Sequence, residues 1–258
     1  VGVSVVNALS TWLKAEVKRD GKLWVQEYKI GKPQFKVKTT GRAPTSGNGT
    51  AITFHPDPSI FPDIIFDRQT IIDHLRQQAY LTKGVTIVVE DLRDPALENV
   101  AKRFLESAFD PKAASAVPAS AAYTFHFEGG IASFVRHLNH RKDLAHENPF
   151  YVEKEAEGIN VEVAVLYNKD YKENVLAFAN NIFNPEGGTH IAGFRTALTR
   201  TLNAYARAKG FLKEKDENLS GEDVREGLTA VISVKVKDPQ FEGQTKAKLG
   251  NPEATSAV

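Results

Sequence analysis

Gln244 and Lys246 stand two residues apart in Asp238-Pro239-Gln240-Phe241-Glu242-Gly243-Gln244-Thr245-Lys246, and that pairing suits a terminal phosphate. Lysine supplies a point charge and glutamine a neutral amide donor, so together they favour the negative charge that develops in phosphoryl transfer. From these residues alone a solvated loop reads equally well, because Pro239 and Gly243 are ordinary turn residues. At the other end, Val1-Gly2-Val3-Ser4 leads into Val5-Val6-Asn7-Ala8-Leu9 and reads as a glycine turn opening a helix. Free backbone N–H groups at a helix start bind phosphate oxygens, although one glycine also suits any helix start. Thr50 and Ile52 offer a hydroxyl and an aliphatic surface that could line a base pocket, or could belong to an ordinary half-buried strand.

Other candidates point to structure rather than chemistry. His137 and His140 share a helix face, but neither they nor His146 has a matched carboxylate or third ligand, so no metal site is expected. His190 follows two glycines at a helix start and is read as shaping that turn. Arg195, Arg200 and Arg207 lie on one long helix, where a solvated face competes with a phosphate-backbone contact. No GxxxxGK[ST], HExxH or GxSxG occurs in the chain, so P-loop NTPase, zincin and serine-hydrolase readings lack support.

The elements that must position these residues follow from periodicity. Residues 12–18 and 22–30 form a hairpin turned at Asp20-Gly21. A further strand is expected over 33–40, a loop over 41–49, and a half-buried strand over 50–55 with Ile52 and Phe54 on one side. Asp67 caps a helix through Tyr80 whose apolar positions are Ile71, Ile72, Leu75 and Ala79. Residues 94–109 suggest a short helix, and the Ala/Ser/Pro-rich run 111–122 a mobile surface loop. After Gly129-Gly130 come a helix, strands near 149–155, 160–167 and 174–180, and a long helix to Lys209 with Ile191, Phe194, Leu198, Leu202 and Tyr205 on one stripe. A strand over 231–237 then leads into the glutamine–lysine loop.

With 258 residues, 41% hydrophobic and 25% charged, the composition is that of a soluble globular protein. The net charge of +1 gives no sign of a nucleic-acid surface. There is no cysteine, which removes disulfides and thiolate chemistry and fits a reducing cytoplasm. No run is long and apolar enough to predict a membrane span. Methionine is absent even at position 1, and the chain is read as a piece of a longer protein.

Taken together these segments resemble the B-subunit family of bacterial DNA gyrase, a type II topoisomerase. The resemblance rests on VGVSVVNALS at 1–10, GT at 49–50, YLTKGV at 80–85, FEGG at 127–130, EGGTHIAGFRTALTRTLNAY at 186–205, SGEDVREGLTAVISVKV at 220–236 and DPQFEGQTKAKLGN at 238–251. It covers almost everything except an inserted stretch at about 94–122, and the long-helix wording stands closer to gyrase than to topoisomerase IV. The resemblance implies an α+β chain. Residues 1–129 would be the C-terminal part of a GHKL ATPase domain, a partial two-layer α/β sandwich. Residues 130–258 would be a transducer domain with a β-α-β fold known from a ribosomal protein.

The resemblance further implies ATP and Mg2+ as cofactors, DNA and the gyrase A protein as partners, and ATP-driven dimerisation that closes a gate during supercoiling. Val1, Gly2 and Val3 match the end of the phosphate-binding lid, with Ser4 beside it. Thr50 and Ile52 match the adenine pocket, Arg19 the mouth of that pocket where coumarin-type inhibitors bind, and Gln244 and Lys246 the γ-phosphate contacts. The family's general-base glutamate, magnesium-binding asparagine and adenine-binding aspartate fall upstream of Val1. The 258-residue chain by itself is therefore expected not to hydrolyse ATP. The rival readings are topoisomerase IV, a coupling module that touches no nucleotide, and another GHKL ATPase of the mismatch-repair or chaperone type.

Overall fold

The computed structural model describes residues 2–44 and 46–258. They divide into two compact units, one made of residues up to Asp73 with Val88–Thr124, the other of His74–Ile87 with Phe125–Val258. Both combine helices with sheets, so the fold is α+β.

In the first unit a seven-residue helix α1 (Gly2–Ala8) leads into strand β1 (Ser10–Arg19), followed by β2 (Lys22–Lys29). Asp20 and Gly21 join the two strands with φ of 53° and 70°, the left-handed pair that matches the strands' own twist. The strand expected over 33–40 is broken into β3 (Lys32–Pro33) and β4 (Lys38–Arg42). Pro33 has no N–H to continue a ladder, which accounts for the break. Strand β5 (Gly49–Pro56) returns antiparallel to β1, and the sheet runs β3-β2-β1-β5 with β4 also on β2. The register places Val17 opposite Thr50, Ala15 opposite Ile52 and Leu13 opposite Phe54 on one face. Lys18 opposite Gly49, Glu16 opposite Ala51 and Lys14 opposite Thr53 form the other.

Helix α2 (Arg68–Leu81) starts at Asp67, whose Oδ1 accepts the Thr70 N–H at 2.6 Å. Strand β6 (Thr86–Glu90) follows. The run 111–122, expected as a mobile loop, is instead folded. Helix α3 (Glu98–Glu106) is followed by a short helix α4 (Pro111–Ala114), and a 3-10 turn at Ala119–Ala121 leads into β7 (Ala122–His126), which pairs with β6. The reason is local: Asp110 caps α4 through the Lys112 N–H (2.9 Å) and binds Arg103 at 2.6 Å, while Ala113 is fully buried. Ala113 is the packed residue of the run, while Ala114, Ser115, Ala116, Ala119 and Ser120 stay exposed.

The second unit contains α5 (Gly130–Leu138), β8 (Phe150–Ala156), β9 (Ile159–Tyr167), β10 (Asn174–Ala179), β11 (Ile182–Phe183), β12 (Gly187–Gly188), α6 (Thr189–Ala208), β13 (Leu228–Lys235), β14 (Lys248–Leu249) and α7 (Glu253–Ala257). Its main sheet runs β11-β10-β13-β9-β8. Strands β10 and β13 are parallel and α6 lies between them in sequence, a β-α-β crossover. β13 is central and buried on both faces. Leu228, Ala230, Ile232 and Val234 pack with Val161, Val163, Phe194 and Ala254. Val231 packs on the opposite side with Ile131, Phe134, Val135 and Tyr80. The Tyr80 ring is stacked between Phe127 at 3.8 Å and Phe134 at 4.8 Å.

Candidate functional site

In the first unit the antiparallel pairing of β1 and β5 lines up Thr50, Ile52 and Phe54 on one face, and all three are exposed, Ile52 by 36% and Phe54 by 41%. Alternation alone would turn such apolar residues inward. Arg19 ends β1 at the hairpin turn, its Nε 3.7 Å from the Asp20 carboxylate with both side chains largely in solvent. Arg19 and Thr50 line one open depression together with Lys18, Asn48 and Gly49. Ile52 lies two residues further along the same face and outside that depression. Gly2, Val3 and Ser4 are exposed at the start of α1, and Val1 lies outside the described residues.

In the second unit Gln244 and Lys246 occupy a turn at the tip of the loop between β13 and β14. Gln244 is exposed and Lys246 half-buried. The turn closes by the Lys246 N–H donating to the Gly243 carbonyl at 3.0 Å. Lys246 has φ of 56°, a left-handed conformation that disfavours a residue with a Cβ and persists only where its surroundings impose it. Those surroundings are explicit. The buried Asn184 donates from Nδ2 to the Lys246 carbonyl at 2.8 Å, and the Glu186 N–H donates to the Ala247 carbonyl at 3.0 Å. The parallel pair β12–β14 holds the same loop from below. Gly188 there has φ of 136°, and a Cβ on it would collide with the Leu249 backbone, so no other residue fits.

The two lysines of the loop differ in charge environment. Lys248 is bound to Glu242 at 2.9 Å, which pushes its ammonium pKa up. Lys246 has no carboxylate partner among the described residues, and its Nζ lies 5.8 Å from the Phe241 ring centroid. An ammonium left unneutralised on a pinned turn, two residues from an exposed carboxamide, has the chemistry to meet an anion. The sequence singles out Gln244 and Lys246 as candidates but not Asn184, whose side chain pins the Lys246 carbonyl. The Asn-Pro step just ahead of Gly187-Gly188 was the available signal for a turn there.

The remaining candidates are structural. His190 is fully buried at the second position of α6, neither ring nitrogen has a hydrogen-bond partner among the described residues, and burial pushes its pKa down to about 4. His146 accepts the Tyr167 N–H at Nε2 and faces the Asn148 carbonyl through Nδ1, while His137 sits by the Tyr80 ring. Arg195 and Arg225 share Glu173, and Arg207 binds Asn218 and the carbonyls of Lys213 and Asp216. No helix among the described residues is long and apolar enough to cross a membrane.

Comparison with known proteins adds an independent line. The family model for DNA gyrase B matches residues 130–258. The chain is 48% identical over 98% of its length to the DNA gyrase B protein of Halalkalibacterium halodurans, and 46% identical over its whole length to that of Clostridium acetobutylicum. It spans about a third of either relative, 36% in each case. A crystal structure of the 43K ATPase domain of Thermus thermophilus gyrase B, in complex with an aminocoumarin, superposes with a TM-score of 0.79 at 38% identity, over 99% of this chain and 62% of that one.

Proposed function

The chain belongs to the DNA gyrase B family, and from that membership we propose that it is the ATP-binding and transducer region of a gyrase B protein. In this reading ATP binding and hydrolysis drive dimer-gate closure and negative supercoiling of DNA. Residues 1–129 are the C-terminal part of the GHKL ATPase domain and 130–258 the transducer. The partners are DNA, the gyrase A protein and a second copy of the gyrase B protein, and the compartment is the cytoplasm.

Each described residue has a role its surroundings can support. The exposed Thr50 hydroxyl and the aliphatic face of Ile52 receive the adenine. Arg19, in solvent at the rim of the Thr50 depression, contacts an aminocoumarin. Val1, Gly2, Val3 and Ser4 close the phosphate lid. Lys246 holds its cation against the terminal phosphate and Gln244 donates a carboxamide N–H to it, so negative charge is favoured where it develops. Among the described residues no three His, Asp or Glu side chains cluster as a metal set. The Mg2+ of such an ATPase is therefore assigned to none of them.

The observation that carries this reading is the Lys246 turn: a strained, hydrogen-bonded backbone that presents an unneutralised ammonium. Calorimetry of a non-hydrolysable ATP analogue on the full-length protein tests it. Gln244→Ala is expected to weaken binding or dimerisation. Unchanged affinity and dimerisation would favour a coupling module that touches no nucleotide. Arg19→Ser is expected to weaken an aminocoumarin more than ATP, and equal inhibition of both proteins would remove Arg19 from the site.

A further inference from the structure

Three charged side chains on β1 are buried: Lys14, Glu16 and Lys18 are 7%, 1% and 8% exposed. The inserted segment 94–122 supplies most of their partners. The Lys14 ammonium donates to the carbonyls of Leu105 (3.1 Å) and Glu106 (2.7 Å), the last two residues of α3, where a cation complements the helix dipole. Glu16 lies 3.3 Å from Lys14 and accepts the Ala108 N–H at 3.0 Å. The Lys18 ammonium sits 5.2 Å from the Phe109 ring centroid and donates to the Ser46 carbonyl. Phe109 also lies against Gly49, close enough that a Cβ there would stand 3.1 Å from its Cε1. The base of the insertion is closed as well. The Asp91 N–H donates to the Ala121 carbonyl, and Arg93 ties Asp91 to the Phe66 carbonyl.

These contacts reach the depression that holds Thr50 and Arg19, because Lys18 and Gly49 both meet Phe109. Lys18 precedes Arg19, Gly49 precedes Thr50, and all four residues line it. We propose that the insertion is a brace, with Glu16 and Phe109 as positioning residues that hold β1 and β5 in the geometry the adenine or an aminocoumarin meets on the opposite face. A site held in its bound shape loses less conformational freedom when it is filled, and so binds more tightly. The inference rests on the reading of Thr50 and Arg19 as pocket residues.

The test uses the full-length protein with Phe109→Ala, Phe109→Tyr and Glu16→Gln. Amide exchange over residues 49–52, aminocoumarin affinity, and the KM and kcat for ATP are measured together. Phe109→Ala is expected to speed exchange, and to weaken the aminocoumarin and raise KM by about threefold or more with kcat unchanged. Phe109→Tyr, which keeps the ring, restores all three. Glu16→Gln reports in the same direction should Phe109→Ala not fold. Faster exchange with affinity and KM at wild-type values would overturn the proposal, as would unchanged exchange. If the wild type binds neither ligand, the pocket reading of Thr50 fails instead, and the exchange data alone decide whether the insertion braces the strands.

Discussion

Strand β13 of the second unit and strand β1 of the first are both flanked by strands on either side, yet they are stabilised in opposite ways. β13 buries apolar residues on both faces, and its buried Thr229 hydroxyl donates to Asn139. β1 buries Lys14, Glu16 and Lys18, and does so because a segment about ninety residues later brings carbonyls, an N–H and an aromatic ring to meet them. Its apolar partners Ile52 and Phe54 lie on the open face. Burial therefore follows from what covers a strand. A charged face can be the inner one when every charge finds a partner, and apolar residues can stand on the outer one.

The contrast predicts different responses to substitution. Glu16→Leu is expected to cost about 3 kcal/mol, because it leaves Lys14 buried without its carboxylate and Ala108 with an unmet N–H. Lys14→Met is expected to cost a similar amount, and the double variant less than the sum by about 1–2 kcal/mol. A denaturant double-mutant cycle reads this, and strict additivity would mean that Lys14 and Glu16 do not hold each other.

The second unit is expected to be the acid-sensitive one through His190. Its folded pKa of about 4 lies below the ordinary 6.5, so the unfolded chain takes up the proton first. Stability is whole above pH 6.5 and is lost as pH falls towards 4. Between pH 7 and 4.5 the wild type should lose roughly 2–3 kcal/mol more than His190→Gln. Parallel losses in thermal melts of the two proteins would show that His190 is not held neutral.

A smaller effect separates stability from function within the second unit. Lys246→Gly relieves the left-handed backbone and should stabilise the fold by about 1 kcal/mol while removing the ammonium. A lower melting temperature for that variant would mean that the turn is not strained.

Much of the fold was legible in the sequence because its signals are local. Asp20-Gly21 specified the hairpin, Asp67 the start of α2, and the stripe from Ile191 to Tyr205 the long helix. The pattern of Val161, Val163 and Val165 specified β9. Gln244 and Lys246 were likewise visible as residue types on a turn. What stayed hidden depends on partners distant in the chain. The helix at 111–114 was obscured by a composition that usually means a loop, and no local pattern pairs Lys14 or Glu16 with the segment that covers them. Asn184 matters to Lys246 across about sixty residues, through one hydrogen bond to a carbonyl that no pattern announces. The left-handed conformation of Lys246 was equally invisible, since lysine carries no preference for it.

The most direct test of the proposed contact between Lys246 and the terminal phosphate is ATP turnover by full-length Lys246→Ala, measured beside its affinity for a non-hydrolysable ATP analogue. A charge-assisted contact of about 1.5–3 kcal/mol predicts turnover reduced roughly tenfold to a hundredfold, with ATP-analogue binding largely retained. Turnover at the wild-type rate would contradict the account.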